Sequence, residues 1–477
     1  MKNAVSSSDF QNKNHFSGET FSAVVINSQI PHDLRFDNCE IKNLLFLEDL
    51  SSNIKSINFY NCRIEEIEVN GIIGELSFED CTIKVFHQEL SSNIDSLYFT
   101  STIKNTIEDL NFSSGKTENC IIRGCLVNNI LAFNHSFGNF IIEGDNSEIS
   151  NFYSSETIYK YIKFQKVTLK TVEFDKLENS EIMLYDIRAS VLTFKDIFRN
   201  TKATLYKIIT DKLIFNDFKN SNSILLIEEV SIGNLLKITY SNLGDAELID
   251  CNLTTCQVLT KASKLTQIQS IRVNWPKMIT INDPHNKLTE ERRNLEKMEF
   301  WRQLKVNAIN QKNHFNAIEF YAREMDVKYL SFKRFHRIES KNNLSKTIFW
   351  FVNPIIDFTD LLYSTIKKRN AEIIMLWWHK YTSSFGIDWF RPTLLYFALS
   401  FFLFMDLSEY DFTINFKFDI FKDPNFYYFL DPLKSKKIEF INQPSFVIAS
   451  VSLIASIMQG LLIYQIIQGF RKYSYKS

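Results

Sequence analysis

The chain has 477 residues, 45% of them hydrophobic and 14% aromatic, and a formal net charge of −1. That length suits two or three domains. With twelve glycines in all, several nucleotide-binding loops are excluded. No H-E-x-x-H, G-x-S-x-G, Gly-rich phosphate loop or paired-carboxylate motif occurs either. The reading is therefore a non-enzyme with no catalytic residue, cofactor or metal ligand. The near-zero charge hides an asymmetry: 27 basic against 35 acidic residues through position 280, and 27 against 20 beyond it. A nucleic-acid partner is disfavoured for the front half, because phosphate contacts need a basic surface.

Residues 1 to 15, rich in Ser, Asn and Lys, read as a disordered N-terminus, with no charged-then-apolar secretory signal at Met1. From 16 to 276 an apolar position returns at Phe36, Phe59, Phe78, Phe99, Ile122, Ile142, Phe164, Leu184, Leu205, Ile227 and Leu248. These are eleven marks over 212 residues, with ten steps averaging 21.2. A fixed period of that size marks a repeat architecture whose units bury their faces only by stacking. The eleven residues are the predicted core ladder.

A finer spacing of five runs inside the coarse one, as in Phe59, Ile64, Val69 and in Phe164, Leu169, Phe174. It recurs in Leu184, Ala189, Phe194 and in Leu248, Leu253, Val258. Neither a strand, with period two, nor a helix, with period 3.6, sustains a period of five. Short extended segments joined by corners do, and four such sides use about 20 residues per turn. Cys39, Cys62, Cys81, Cys125, Cys251 and Cys256 each lie two residues before a central apolar residue, where a small hydrophobe is needed. They are read as buried structural thiols in a reducing compartment.

On these residues the front half resembles the pentapeptide-repeat family. The clearest match is Cys251-Asn252-Leu253-Thr254-Thr255 followed by Cys256-Gln257-Val258-Leu259-Thr260, with Phe16 to Phe21 a candidate start. The resemblance implies a right-handed parallel β-helix, four-sided, of about 11 to 12 coils. A three-sided β-helix and a leucine-rich horseshoe are the competing solenoids. It also implies a bacterial source. Some members of that family mimic DNA and occupy a topoisomerase, which makes topoisomerase inhibition a weaker alternative function. Stacked at strand spacing, ten steps make a rod on the order of 50 Å long.

Residues 277 to 345 read as a helical hairpin connector. Thr289 is the expected N-cap, followed by a stripe of Phe300, Leu304 and Ala308, a break from Asn310 to Asn313, and a second helix from His314. Ala317, Phe320, Tyr321, Glu324 and Met325 are expected on its inner side. The pair resembles a tetratricopeptide-type helix pair. Residues 346 to 390 form an aromatic and basic juxtamembrane segment. Within it, Trp350, Trp377, Trp378 and Trp389 alternate with Lys346, Lys367, Lys368, Arg369 and Lys380, as an interface-lying segment requires.

Residues 391 to 477 read as a two-span membrane domain with an outer loop at 406 to 445. The spans are Pro392 to Met405 and the uncharged run from Phe446 to Ile467, long enough for a bilayer core about 30 Å thick. The cations flanking the spans put both termini in the cytoplasm of a bacterial inner membrane. Gln459, Gln465 and Gln468 are the possible intramembrane polar residues, either lining an oligomeric pore or bonding between helices. The function read from these parts is a membrane-anchored cytoplasmic solenoid scaffold or sensor. Its partners are the lipid bilayer, an unknown protein and possibly further copies of itself. A channel-forming or membrane-perturbing effector is the alternative.

Overall fold

The computed structural model describes residues 13–26, 33–47, 56–89, 92–102, 105–221, 223–265, 267–276, 278–281, 288–332, 371–383, 390–407 and 446–474. The chain divides into two compact units, Met1–Lys287 and Leu288–Ser477.

The first unit is a parallel β-solenoid of 24 strands, in which a strand generally pairs with the second strand before it and the second after it, while the long strands Glu181–Arg199 and Lys202–Ser221 each run a whole turn and pair with one another. Two strands thus make one turn, and there are about twelve turns. Phe16 pairs with Phe36, Phe36 with Phe59, Phe59 with Phe78 and Phe78 with Phe99. The column continues through Ile122, Ile142, Phe164, Leu184, Leu205, Ile227 and Leu248, all buried. The Phe36 and Phe59 rings stack at 4.9 Å and the Phe59 and Phe78 rings at 5.0 Å, close to the spacing of neighbouring strands. Full burial of each such ring is worth roughly 1.5–3 kcal/mol.

The spacing of five arises from a bend within each strand. In Arg63–Val69 the buried residues are Ile64, Ile67 and Val69, whereas a straight strand would bury every second residue. The extra outward residue is Glu65, which drops out of the ladder between the Ile64–Ile83 and Glu66–Val85 pairs. Two bent strands per turn give four short sides. At the corner ahead of a buried cysteine one residue takes left-handed backbone angles: Asn38, Asn61, Asp80, Gly124 and Asp250 precede Cys39, Cys62, Cys81, Cys125 and Cys251. Asn, Asp and Gly adopt that conformation at least cost. Lys166 and Tyr240 also adopt it, so elsewhere stacking overrides local preference.

In the second unit, helix α1 (Glu290–Asn310) is capped by Thr289, whose side chain accepts from the Arg292 N–H. It packs on α2 (His314–Phe332). Phe300, Leu304, Ala308, Ala317 and Phe320 are buried as the stripe implies, together with Trp301. Tyr321, expected on the inner side, is exposed, because its ring lies on the outer surface beside Lys305. Buried Glu324 accepts from Arg302 Nε at 3.1 Å and from Lys305 Nζ at 2.6 Å. Three more helices follow: α3 (Ala371–Ser383), α4 (Phe390–Leu407) and α5 (Phe446–Ser474).

The two expected membrane spans find no support in the described helices. Among the described residues, no helix is long and apolar enough to cross a membrane. Of the run from Phe446 to Ile467, the side chains of 446 to 452 lie outside the described ones, as do those of 402 to 405 in the shorter run. The expected disordered residues 1 to 12, most of the juxtamembrane segment (346 to 370 and 384 to 389) and the outer loop from 408 onward also lie outside the described residues.

Candidate functional site

Several small inward residues tie one turn to the next. Cys62 Sγ accepts from the Cys39 N–H at 3.4 Å and donates to the Phe36 carbonyl at 3.3 Å. Cys81 does the same with Cys62 and Phe59. Hydroxyls replace thiols further on: Ser180 accepts from the Tyr159 N–H, and Thr157 donates to the Ala132 carbonyl. Burial pushes the Cys251 thiol up to about 11 and the Cys125 thiol up to about 12. A thiol that stays protonated is a poor nucleophile and a poor metal ligand, so these cysteines are structural. Cys120 differs: it lies within a strand, in register with Leu97 and Phe140, and is fully buried there.

A polar knot interrupts the apolar columns at Gln88, Thr117 and His135, all fully buried. The Gly115 N–H donates to His135 Nδ1 at 3.2 Å, which leaves the ring proton on Nε2 to donate to Thr117 Oγ1 at 3.1 Å. Thr117 in turn donates to Gln88 Oε1 at 2.9 Å, and Gln88 Nε2 donates to the Lys116 carbonyl at 3.1 Å. Burial lowers the His135 pKa to about 3, so the ring is neutral. Gly115 has no room for a side chain: a Cβ there would stand 2.9 Å from the Ser92 carbonyl oxygen. A closed set of bonds out of reach of solvent holds structure rather than substrate.

The second arrangement lies in α4 and α5. Gln459 Nε2 donates to Ser400 Oγ at 2.7 Å, and both residues are 0% exposed. Gln465 Nε2 lies 3.3 Å from His379 Nδ1, with Gln465 buried and His379 half-buried. Gln468 instead bonds Tyr464 on the same helix at the surface, 2.6 Å away. The three glutamines are therefore not one lining: two face neighbouring helices and the third faces out. Outward on α5 stand Leu453, Ile454, Ile457, Leu461, Tyr464 and Ile467; outward on α4 stand Phe390, Leu394 and Phe397. Ser400 meets Gln459, while His379, earlier in the chain, meets Gln465, later in α5.

Among the described residues no group of three or more His, Cys, Asp or Glu side chains could hold a metal ion. No known protein family, curated protein or solved structure matches the chain. What stands on the coordinates is a parallel solenoid followed by helices.

Proposed function

We propose that the chain is a membrane-anchored, non-enzymatic scaffold whose solenoid receives a protein partner and whose α4–α5 pair sits in a lipid bilayer. The observation that carries this reading is the inverted burial of the pair. Its outward residues are large and apolar, with Leu453 64% exposed, while its buried contacts include Gln459 with Ser400. In water such a surface is unfavourable by about 25 cal/mol per Å² of apolar area, and contiguous apolar surface of this kind marks a membrane or protein interface. In hydrocarbon it is at ease, and a buried side-chain hydrogen bond then joins the helices.

The sequence agrees with this reading. No charge occurs from Phe446 to Ile467, and Arg391, Arg471, Lys472 and Lys476 flank the apolar runs. The positive-inside bias then assigns the side carrying these cations to the cytoplasm. The channel-forming alternative lacks comparable support, since Gln459 and Gln465 find partners within the same chain.

The test is flotation of the purified chain with phosphatidylcholine–phosphatidylglycerol vesicles through a density gradient. The chain is expected in the vesicle fraction, and the Ile454→Glu, Ile457→Glu double variant at the bottom. A wild-type chain that stays with the soluble fraction overturns the anchor.

A further inference from the structure

We infer that the solenoid carries a docking stripe for an amphipathic α-helix of a partner protein, with a carboxylate at the middle of that helix's apolar face. This rests on reading the solenoid as a scaffold and names where and what it binds. The position one residue before the inward column points outward. In the first turns it is occupied by His15, Arg35, Asn58 and Ser77, and at the far end by Glu247 and Gln269. Between them the same column runs Tyr98, Ile121, Ile141, Lys163, Met183 and, after Thr204, Leu226. All of these are partly exposed. Outward positions of a water-facing sheet alternate with the core and are normally polar. Five apolar residues in seven successive places, broken only by Lys163 and Thr204, instead make a surface stripe of the kind that marks an interface.

Dimensions select the occupant. Six steps at strand spacing span about 29 Å, the length of a helix of about 19 residues. A helix lying along the solenoid axis presents one residue per turn at about 5.4 Å, against a coil rise of about 4.8 Å, so successive side chains meet successive turns. Tyr161 and Met183 are joined by a hydroxyl–sulfur contact of 3.5 Å on one flank. Tyr185 and Tyr206 stack at 5.2 Å on the other, giving the stripe rigid aromatic edges.

Charge then selects the chemistry. Lys163 stands in the middle of the stripe, and among the described residues it makes no ion pair or hydrogen bond. The acids of the adjoining turns are already engaged, Glu143 by Arg123 and Glu181 by Lys202. A second copy docked stripe to stripe across a two-fold axis would bring Lys163 against its own counterpart, and like charges brought together at an interface are costly. A partner helix with Glu or Asp at that level satisfies the cation instead.

The experiment uses the full-length chain and two synthetic helices of about 19 residues with leucine on one face. One carries Glu and the other Lys at the centre of that face. Binding is read by fluorescence anisotropy. The Glu peptide should bind at least about tenfold more tightly than the Lys peptide. Lys163→Glu should reverse that order, and Ile141→Asp should abolish binding of both. Thermal unfolding should not move, since both side chains project outward. Equal binding of the two peptides, binding of neither, or a preference unmoved by Lys163→Glu overturns the proposal. So does a dimer in sedimentation that Ile141→Asp dissolves, which would make a second copy the occupant. A chain that floats with vesicles but shows no peptide preference removes the helix site and leaves the anchor. The opposite pair of results removes the anchor alone.

Discussion

In the solenoid the buried positions are Phe36, Phe59, Phe78 and their kin, while Glu65, Glu66 and Arg63 face out. In the α4–α5 pair the buried set includes Ser400, Gln459 and Gln465, while Leu453, Ile454 and Ile457 face out. Both regions are well-formed secondary structure, so regular hydrogen bonding does not distinguish them. What differs is the medium each surface suits. The solenoid removes apolar area from water and gains by the hydrophobic effect. The helix pair leaves that area outside and is joined by the buried Gln459–Ser400 hydrogen bond, the arrangement on which the proposed bilayer anchor rests.

Substitutions can break this contrast, and the largest effect is expected at Gly124. Its φ is +69°, and a Cβ there would stand 2.2 Å from the Ser101 carbonyl oxygen. Gly124→Ala should cost more than about 3 kcal/mol in urea unfolding, since backbone must move and left-handed strain is added. Phe59→Ala comes next, at about 3–5 kcal/mol for a ring deleted from a stacked core. The matching change in the other region, Ile457→Ala, should leave unfolding in detergent nearly unmoved and show only as weaker vesicle flotation.

Acid should act on the solenoid through His135. Burial holds folded His135 at about 3, against an ordinary 6.5, so the unfolded chain takes up the proton first. The stability linked to it is complete above about pH 6.5 and is lost as pH falls from there toward 3. At about pH 4 the loss is on the order of a few kcal/mol. Urea midpoints from pH 7 to 4 should fall for the wild type and fall less steeply for His135→Gln. A smaller effect is expected between α4 and α5: Gln459→Leu should cost about 1 kcal/mol. Ser400→Ala added to it should cost little more, and a double-mutant cycle in micelles reads the coupling. The smallest is Gly18→Ala, at about 1 kcal/mol. Gly18 shares the positive φ of Gly124, but no atom lies within 4 Å of a Cβ placed there.

Much of the solenoid could be read in the sequence because Phe36 to Phe99 repeat one residue type in one column, and stacking makes neighbours in space out of residues about 20 apart. The corner was harder to see. Its marker is an Asn, Asp or Gly directly ahead of a cysteine, as at 38, 61, 80, 124 and 250, but Lys166 and Tyr240 fill the same conformation and blur it. The polar knot was hidden for a different reason. Gln88, Thr117 and His135 come from three turns and meet only once the turns are stacked. The docking stripe required register too, since Ile141 and Met183 are unremarkable until Lys163 is seen between them. In the helical unit, length and hydropathy pointed to two spans, but neither could tell which way Gln468 would turn.

The knot also limits where the chain can slip. Phe36, Phe59 and Phe78 have nearly identical surroundings, so a strand displaced by one whole circuit would find another aromatic waiting and forfeit little. Among the described residues, the bonded trio of Gln88, Thr117 and His135 has no duplicate elsewhere in the stack. A displaced chain would strand each of them against hydrocarbon, at about 1–3 kcal/mol apiece. Three polar residues thus work like the notch on a key, giving an otherwise interchangeable pile of coils one permitted alignment.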